Sequence, residues 1–222
     1  MNLAILWDWD GVVLDSSRQH EESWERMSRE RGLPLPEGHF KAGFGKRNQV
    51  IIPEILGWAA TPEDVERLGR EKEELYRSIL KEPRFQPEML PGARALMAGL
   101  FELEATHVVG SSTERANLDA IIELFEIGQY FSGIVSGDDV SEGKPHPEVF
   151  LKGAEIAKLP PEQCVVIEDS IHGIRAGLAA GCKVLAVATT NPFEVLEKSG
   201  ATWVVDRLSD ISPEELAKRM QV

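Results

Sequence analysis

The chain has 222 residues, of which 42% are hydrophobic and 27% are charged, and its 37 acidic and 24 basic residues give a net charge of −13 at neutral pH. This length is sufficient for one medium-sized domain with a sizeable insertion and a buried core. The acidic balance excludes general electrostatic attraction to nucleic acid or to an anionic membrane as the basis of function. It is compatible with a small anionic substrate that is held by a few local cations.

The N-terminal segment and the two cysteines favour a cytoplasmic protein. The sequence runs from Met1-Asn2-Leu3 directly into an apolar segment without a basic leader, which is not typical of a signal peptide. No segment approaches the roughly 20 apolar residues of a membrane span. Cys164 and Cys182 lie in apolar stretches, which is typical of buried thiols, and a disulfide between them is the less favoured alternative. We expect a cytoplasmic monomer that binds neither nucleic acid nor membranes.

Six short apolar segments alternate with amphipathic helical patterns over most of the chain. Because these segments are almost continuously apolar, they are typical of strands that are buried on both faces of a parallel sheet. The sequence therefore predicts an α/β fold with a doubly wound parallel sheet. We expect its strands at residues 3–7, 106–109, 133–136, 164–167, 183–188 and 202–205.

Residues 16–85 interrupt this alternation. They contain no convincing strand, and their periodicity predicts helices over 18–31, 48–56 and 62–80, separated by segments rich in proline and glycine. A helical block inserted after the first strand explains this pattern. We therefore expect a Rossmann-like core formed by residues 1–15 and 86–222, and a helical domain formed by residues 16–85.

The first predicted strand ends in Asp8-Trp9-Asp10-Gly11. In open parallel sheets, ligands and catalytic groups collect beyond the carboxyl ends of the strands. Two carboxylates two residues apart can project into that crevice together, and Gly11 permits a tight turn after them. By itself the pattern is weak, because it also occurs in calcium-binding loops and in ordinary turns.

Three further strand ends carry polar groups that suit phosphate chemistry. Ser111 and Ser112 lie in a hydroxyl-rich turn before a helix, where they can hold a phosphate oxygen, although a helix N-cap is the ordinary alternative. Lys144 lies in a loop stiffened by two prolines, which suits a charge aimed at a fixed anion better than a solvated lysine. Glu168 and Asp169 end an apolar strand, where adjacent carboxylates favour a divalent cation over a simple helix cap.

Together these strand ends favour a phosphoryl-transfer site that uses Mg²⁺, because hard oxygen ligands suit this cation. The same motifs resemble the haloacid dehalogenase superfamily of aspartate-nucleophile phosphotransferases. Residues 6–16 are similar to its first motif, and Ser111, Lys144 and the pair Glu168-Asp169 match its second, third and fourth motifs. The helical insertion directly after the first motif is similar to the cap domain of the β-phosphoglucomutase-like branch.

The resemblance implies a role for each motif residue. Asp8 would attack phosphorus and become an aspartyl phosphate, while Asp10 would protonate the leaving oxygen and then deprotonate the incoming water or hydroxyl. Ser111, Ser112 and Lys144 would hold the transferring phosphoryl oxygens. The implied ligands of Mg²⁺ are the Asp8 carboxylate, the backbone carbonyl of Asp10, and Asp169, with Glu168 in support.

The resemblance also implies substrate contacts from the cap: His20 in its first helix, Arg47 in a loop that reads Gly45-Lys46-Arg47-Asn48, and Lys72 in a later helix. An exposed helix residue is the alternative for His20, and a solvated side chain is the alternative for Arg47. The mutase pattern would place its arginine one residue later, at Asn48. This offset counts against a mutase.

We therefore expect a Mg²⁺-dependent phosphatase that acts on a small phosphorylated metabolite, such as a sugar phosphate. Asp10 supports phosphate-ester chemistry, because the similar dehalogenases and phosphonatases lack an acid at this position. A sugar-phosphate mutase of the β-phosphoglucomutase type is an alternative, since it shares all four motifs. A non-catalytic scaffold with the same fold is a remote alternative, against which the joint presence of the motif residues argues.

Overall fold

The computed structural model describes residues 2–43 and 46–220. The chain divides into two compact units, one formed by Met1–Leu14 and Met89–Val222 and the other by Asp15–Glu88. The boundaries predicted from the sequence lie one residue and three residues from these points. No helix in the described ranges is long and apolar enough to cross a membrane.

The unit Asp15–Glu88 is helical throughout its regular structure. Its elements are α1 (Ser17–Arg31), α2 (His39–Gly43), α3 (Asn48–Val50), a π-helical turn (Ile51–Leu56) and α4 (Pro62–Ile79). Helix α4 begins where Thr61 accepts a hydrogen bond from the N–H of Asp64, with Pro62 in the first turn. Helices α1 and α4 pack against each other, and their shared apolar core contains Trp24, Met27, Ile51, Ile52, Leu56, Val65 and Leu68.

The predicted helix over 48–56 is present in a modified form. It starts as α3 and widens into the π-helical turn Ile51–Leu56, which contains Pro53. Proline has no N–H to donate to the carbonyl four residues earlier, so regular α-helical bonding is interrupted at this point. The turn ends at Gly57, whose φ of 64° is left-handed.

The larger unit is built on a six-stranded sheet in which all neighbouring strands are parallel. The strands are β1 (Ala4–Trp7), β2 (Thr106–Gly110), β3 (Phe131–Val135), β4 (Cys164–Glu168), β5 (Lys183–Val187) and β6 (Trp203–Val205). Their order in the sheet is β3-β2-β1-β4-β5-β6. All six predicted strands are confirmed, with ends that differ by at most two residues. The strand order reverses between β1 and β4, which is where ligands bind in folds of this class.

Six α-helices accompany the sheet in the described part of this unit: α5 (Ala93–Glu102), α6 (Arg115–Phe125), α7 (Glu148–Ala157), α8 (Ile171–Ala179), α9 (Phe193–Glu197) and α10 (Pro213–Arg219). Helices α7 and α8 pack on the face of the sheet that carries Leu6 and Val166. The opposite face is also buried: the Trp7 indole N–H donates to Nδ1 of His107 at 3.1 Å, and the ring of Phe101 in α5 contacts His107. The doubly wound arrangement predicted from the sequence is thus confirmed.

Both cysteines belong to the buried core of this unit and are free thiols in the structure. Cys164 begins β4, and Cys182 directly precedes β5. The predicted burial of both thiols is confirmed.

Candidate active site

The predicted motif residues of the larger unit lie at one edge of its sheet. Asp8 directly follows β1, Ser111 follows β2, and Asp169 follows β4, whose last residue is Glu168. Because all the strands are parallel, their carboxyl ends meet at the same edge. Lys144 reaches this edge from the loop before α7.

Lys144 connects two of the strand ends directly. Its Nζ donates to Oδ1 of Asp8 at 2.7 Å and to Oε1 of Glu168 at 2.8 Å. The side chain is only 8% exposed, and its ammonium lies 4.8 Å from the ring centre of Phe150. Burial disfavours the charged form of Lys144 and would lower its pKa. The carboxylates of Asp8 and Glu168 outweigh this effect, so the pKa of Lys144 is raised. Lys144 is therefore a fixed positive charge at neutral pH.

Three carboxylates share this single lysine. One oxygen from each of Asp8, Glu168 and Asp169 can be chosen so that all three lie within 4.8 Å of one another. Burial, followed by the charge of Glu168, raises the pKa of Asp8 well above its ordinary value. The same two causes raise the pKa of Asp169 to about 8. One ammonium thus leaves an excess of buried negative charge, which a divalent cation would neutralise.

Glu168 has both of its oxygens engaged by protein donors. Its Oε2 accepts the backbone N–H groups of Asp169 and Ser170 at 2.8 Å each and the Ser170 hydroxyl at 3.0 Å, while Oε1 accepts Lys144. Although burial opposes ionisation, Lys144 and these hydrogen bonds lower the pKa of Glu168. The carboxylate lies against Gly173 of α8, where a Cβ would come within 1.6 Å of Oε1. Glu168 is held as a charged group that organises its neighbours.

The donor chemistry of this edge fits Mg²⁺. The cation prefers a few carboxylates together with water and substrate phosphate, and all the acidic groups here offer hard oxygen ligands. Asp8 and Asp169 are suited as ligands, whereas Glu168 is already saturated with hydrogen bonds. The Asp10 side chain points to a different partner, because its Oδ2 accepts a 2.6 Å hydrogen bond from the hydroxyl of Thr113.

The turn after β2 is fixed by its own hydrogen bonds. The Ser111 hydroxyl is almost fully buried and accepts the N–H of Thr113 at 3.1 Å, while the N–H of Ser111 donates to the carbonyl of Val135 at 3.0 Å. Ser112 is half-buried between them. These residues precede α6, so backbone N–H groups and a hydroxyl lie together, as anion binding requires.

Comparison with known proteins identifies the family. A family model described as haloacid dehalogenase-like hydrolase matches residues 3–181. The chain belongs to this family. The predicted superfamily and the enzyme class, a hydrolase, are thereby confirmed.

Named relatives of the hydrolase have different activities. The chain is 29% identical over 218 residues to 5-amino-6-(5-phospho-D-ribitylamino)uracil phosphatase of Arabidopsis thaliana. This match covers 97% of the chain but only 57% of that protein. The chain is 30% identical over 184 residues to the fructose-1-phosphate phosphatase of Escherichia coli K12, covering 83% of the chain and 95% of that protein. The β-phosphoglucomutase of Bacillus subtilis is 27% identical over 222 residues, with 96% and 93% covered.

A solved structure supports the fold of the hydrolase. The crystal structure of a family IA, variant 3 HAD hydrolase from Entamoeba histolytica superposes with a TM-score of 0.87 at 28% sequence identity. The superposition covers 99% of this chain and 100% of the other. The predicted fold class is confirmed.

Asp8, Glu168 and Asp169 form what we call the acidic edge of the sheet. Sequence reasoning missed one segment of the hydrolase that contacts it. This segment is Thr189-Thr190-Asn191, which lies after β5. The Thr190 hydroxyl hydrogen-bonds to Oδ2 of Asp169, and the Asn191 side-chain amide donates to the backbone carbonyl of Asp169 at 3.0 Å. The Thr189 hydroxyl hydrogen-bonds to the carbonyl of Gly11. The available signal was position, since three polar residues directly follow a buried strand that neighbours β4.

Gly11 is needed where this segment and Asp169 meet. Its φ of 82° is left-handed, and a Cβ at this position would lie 1.9 Å from Oδ2 of Asp169. Only glycine combines this conformation with so close an approach. The prediction of a tight turn after Asp10 agrees with this geometry.

The predicted cap residues His20 and Lys72 are brought together inside the helical unit. Nζ of Lys72 lies 2.7 Å from Nδ1 of His20 and 2.9 Å from Oε1 of Glu73, and the His20 ring stacks on Tyr76 with 4.0 Å between ring centres. The side-chain amide of Asn48 donates to the same Glu73 oxygen at 2.8 Å. Burial disfavours ionisation of Glu73, but Lys72, His20 and Asn48 outweigh it and lower the pKa of Glu73 to about 2.

Arg47 directly precedes Asn48, the first residue of α3. It is half-buried at the N-terminus of α3. Gly45, the first residue of the predicted cap loop, falls outside the described residues. Substrate contact by His20, Arg47 and Lys72 stays a prediction.

Proposed function

We propose that the hydrolase is a Mg²⁺-dependent phosphatase that hydrolyses a small phosphorylated metabolite through an aspartyl phosphate on Asp8. The observation that carries this proposal is the placement of Lys144 between Asp8 and Glu168, beside Asp169, at the point where the strand order of the sheet reverses. A nucleophilic carboxylate, a fixed cation and an excess of hard oxygen ligands are the components that phosphoryl transfer needs. The phosphatase names of two relatives agree with this proposal.

The first half-reaction phosphorylates Asp8. An oxygen of its carboxylate attacks phosphorus in line, the bond from phosphorus to the leaving oxygen breaks, and Asp10 gives that oxygen a proton. Lys144, bonded to Oδ1 of Asp8, orients the nucleophile and offsets the negative charge of the transferring group. Ser111 and Ser112 hold phosphoryl oxygens from the turn after β2.

The second half-reaction returns the enzyme to its starting state. Water attacks the phosphorus of the aspartyl phosphate, Asp10 takes a proton from that water, and the bond between phosphorus and the Asp8 oxygen breaks to release phosphate. Asp8, the backbone carbonyl of Asp10, and Asp169, with Glu168 in support, would hold Mg²⁺, which would neutralise charge on the phosphoryl group when bound.

The cluster of His20, Asn48, Lys72 and Glu73 in the helical unit favours the phosphatase over the mutase. The mutase pattern has an arginine where this chain has Asn48, and the Asn48 amide is used inside the helical unit to bind Glu73. Lys72 is likewise neutralised by Glu73 at 2.9 Å. We assign His20, Arg47 and Lys72 to substrate selection, and we place the enzyme in the cytoplasm as a monomer.

The mutase is the second candidate, supported by the 27% identity to the Bacillus subtilis β-phosphoglucomutase. Purified protein with Mg²⁺ should be incubated with a panel of phosphorylated sugars, polyols, nucleotides and acids. Release of free phosphate supports the phosphatase, while interconversion of isomers with little phosphate release identifies a mutase.

The nucleophile has its own test with a matched control. The intact protein, quenched in acid during turnover of a labelled ester, should retain base-labile phosphate on Asp8. Asp8→Asn should abolish this labelling, whereas Asp206→Asn, at an exposed aspartate, should leave it unchanged. Persistent labelling of Asp8→Asn refutes the nucleophile, and a wild type that neither labels nor releases phosphate from any ester identifies a non-catalytic protein.

A further inference from the structure

A hydroxyl from the turn after β2 contacts the proposed general acid. Oγ1 of Thr113 donates a hydrogen bond of 2.6 Å to Oδ2 of Asp10, although the two residues are 103 positions apart in the chain. Both side chains are partly buried. This short contact to a carboxylate belongs to the stronger class of hydrogen bonds.

The backbone of Thr113 is held on both sides. Its N–H donates to Oγ of Ser111 at 3.1 Å, and its carbonyl accepts the N–H of Gly137 at 2.9 Å. Gly137 allows this approach, because a Cβ there would lie 2.3 Å from the carbonyl oxygen of Ser112. The hydroxyl therefore projects from a rigid turn rather than from a mobile loop.

We propose that Thr113 is a positioning residue that fixes the carboxyl group of Asp10 for acid–base catalysis. This inference rests on the proposed function, in which Asp10 is the general acid and base. A threonine hydroxyl has one proton to donate, and it is directed at Oδ2. This hydrogen bond holds the Asp10 carboxyl group at one of its two oxygens.

The proton transfers balance with Thr113 in this role. In the first half-reaction, a proton leaves the carboxyl group of Asp10 for the leaving oxygen as the bond from phosphorus to that oxygen breaks. In the second, the carboxylate of Asp10 takes a proton from the attacking water as phosphate is released. Thr113 orients this group and keeps its own hydroxyl proton.

The same turn carries Ser111, which is proposed to hold the phosphoryl group. One rigid segment therefore connects the residue that binds phosphate to the residue that orients the acid. Such a connection fixes the position of the acid relative to the bond that breaks, and misplacement of a catalytic group by even about 1 Å is costly.

The test uses the dependence of the rate on the leaving group. An aryl phosphate such as 4-nitrophenyl phosphate needs little protonation of its leaving oxygen, whereas an alkyl phosphate depends on it. Thr113→Val keeps the shape and removes the donor. We expect kcat/KM to fall about 10- to 100-fold for the alkyl ester, the range for a lost hydrogen bond to a charged group, and by less than about 3-fold for the aryl ester.

The conservative variant separates positioning from structure. Thr113→Ser retains the hydroxyl and should restore the alkyl-ester rate to within about 3-fold of wild type. Equal losses of Thr113→Val on both esters, or no loss on the alkyl ester, overturn the proposal. If Thr113→Val does not fold, Thr113→Ala takes its place and is judged by the same two ratios.

Asp10→Asn, measured beside these variants, distinguishes the positioning role of Thr113 from the acid–base role of Asp10. Selective loss of the alkyl ester in Asp10→Asn but not in the Thr113 variants refutes the positioning role alone. Equal loss on both esters in Asp10→Asn refutes the acid–base role of Asp10, and with it the function on which the inference rests.

Discussion

Glu73 provides a test of the buried charge cluster in the helical unit. Glu73→Gln preserves the size of the side chain and removes its charge, which leaves the ammonium of Lys72 buried without the carboxylate that lies 2.9 Å away. The neighbours of Glu73 lower its pKa from 4.5 to about 2. At about 1.36 kcal/mol for each pKa unit, this corresponds to about 3 kcal/mol of stability at neutral pH.

The pH dependence of this contribution has a defined sign. Because the pKa of Glu73 is lower in the folded than in the unfolded state, its stabilisation is complete above pH 4.5 and is lost as the pH falls towards 2. The difference in the free energy of unfolding between wild type and Glu73→Gln should narrow as the pH falls from 4.5 towards 2.

Urea unfolding followed by tryptophan fluorescence measures these differences, since Trp24 and Trp58 both lie in the helical unit. Glu74→Gln is the matched control, because Glu74 is the next residue of α4 and is exposed; we expect it to change stability by less than about 0.5 kcal/mol. The double variant Lys72→Met with Glu73→Gln should recover most of the loss, since no buried charge is left unpaired. A Glu73→Gln variant as stable as the control, or a double variant no better than the single one, would refute this reasoning.

Three further predictions concern the acidic edge of the sheet. Lys144→Met leaves its carboxylates without their cation and should destabilise the metal-free protein by about 3–5 kcal/mol in urea unfolding; an unchanged midpoint contradicts this. Burial and Glu168 raise the pKa of Asp169, so its charged form is unfavourable at neutral pH, and Asp169→Asn should stabilise the protein in EDTA while abolishing thermal stabilisation by Mg²⁺. A destabilised Asp169→Asn protein in EDTA contradicts this. Thr190→Val should weaken Mg²⁺ binding about 10-fold in calorimetric titration, and Thr190→Ser should not; equal affinities of the two variants would argue against a role of the hydroxyl.

The assembly of the acidic edge was predictable because two sequence signals reinforce each other. Almost continuous apolar segments identify the strands, and their parallel arrangement brings their carboxyl ends together. Asp8, Lys144 and Glu168 come from three distant parts of the chain, and the structure joins them through contacts of 2.7 and 2.8 Å. The sequence alone therefore identifies the residues that follow buried strands as candidates for one site.

The partners of these residues were not predictable in the same way. A threonine after a strand is equally suited to a turn, a helix cap or a hydrogen bond to a distant carboxylate. The sequence pattern therefore does not identify Thr113 as the partner of Asp10, or Thr190 as the partner of Asp169. In the helical unit, Glu73 and Asn48 are 25 residues apart, and their pairing depends on how α3 packs against α4. Local patterns identify which face of a helix is apolar, but they do not identify which polar side chain is buried opposite a given charge.

The two buried charge clusters differ in their balance of positive and negative charge, and this difference predicts opposite responses to the loss of an acid. In the helical unit, Lys72 and Glu73 neutralise each other, and the pKa of the acid is lowered. At the edge of the sheet, Lys144 faces three carboxylates, and the pKa values of Asp8 and Asp169 are raised. Neutralising Glu73 should therefore destabilise the helical unit, whereas neutralising Asp169 should stabilise the edge of the sheet in the absence of metal. A divalent cation that binds at this edge would restore the lost stability, and the Mg²⁺ dependence of the unfolding temperature of Asp169→Asn tests this coupling.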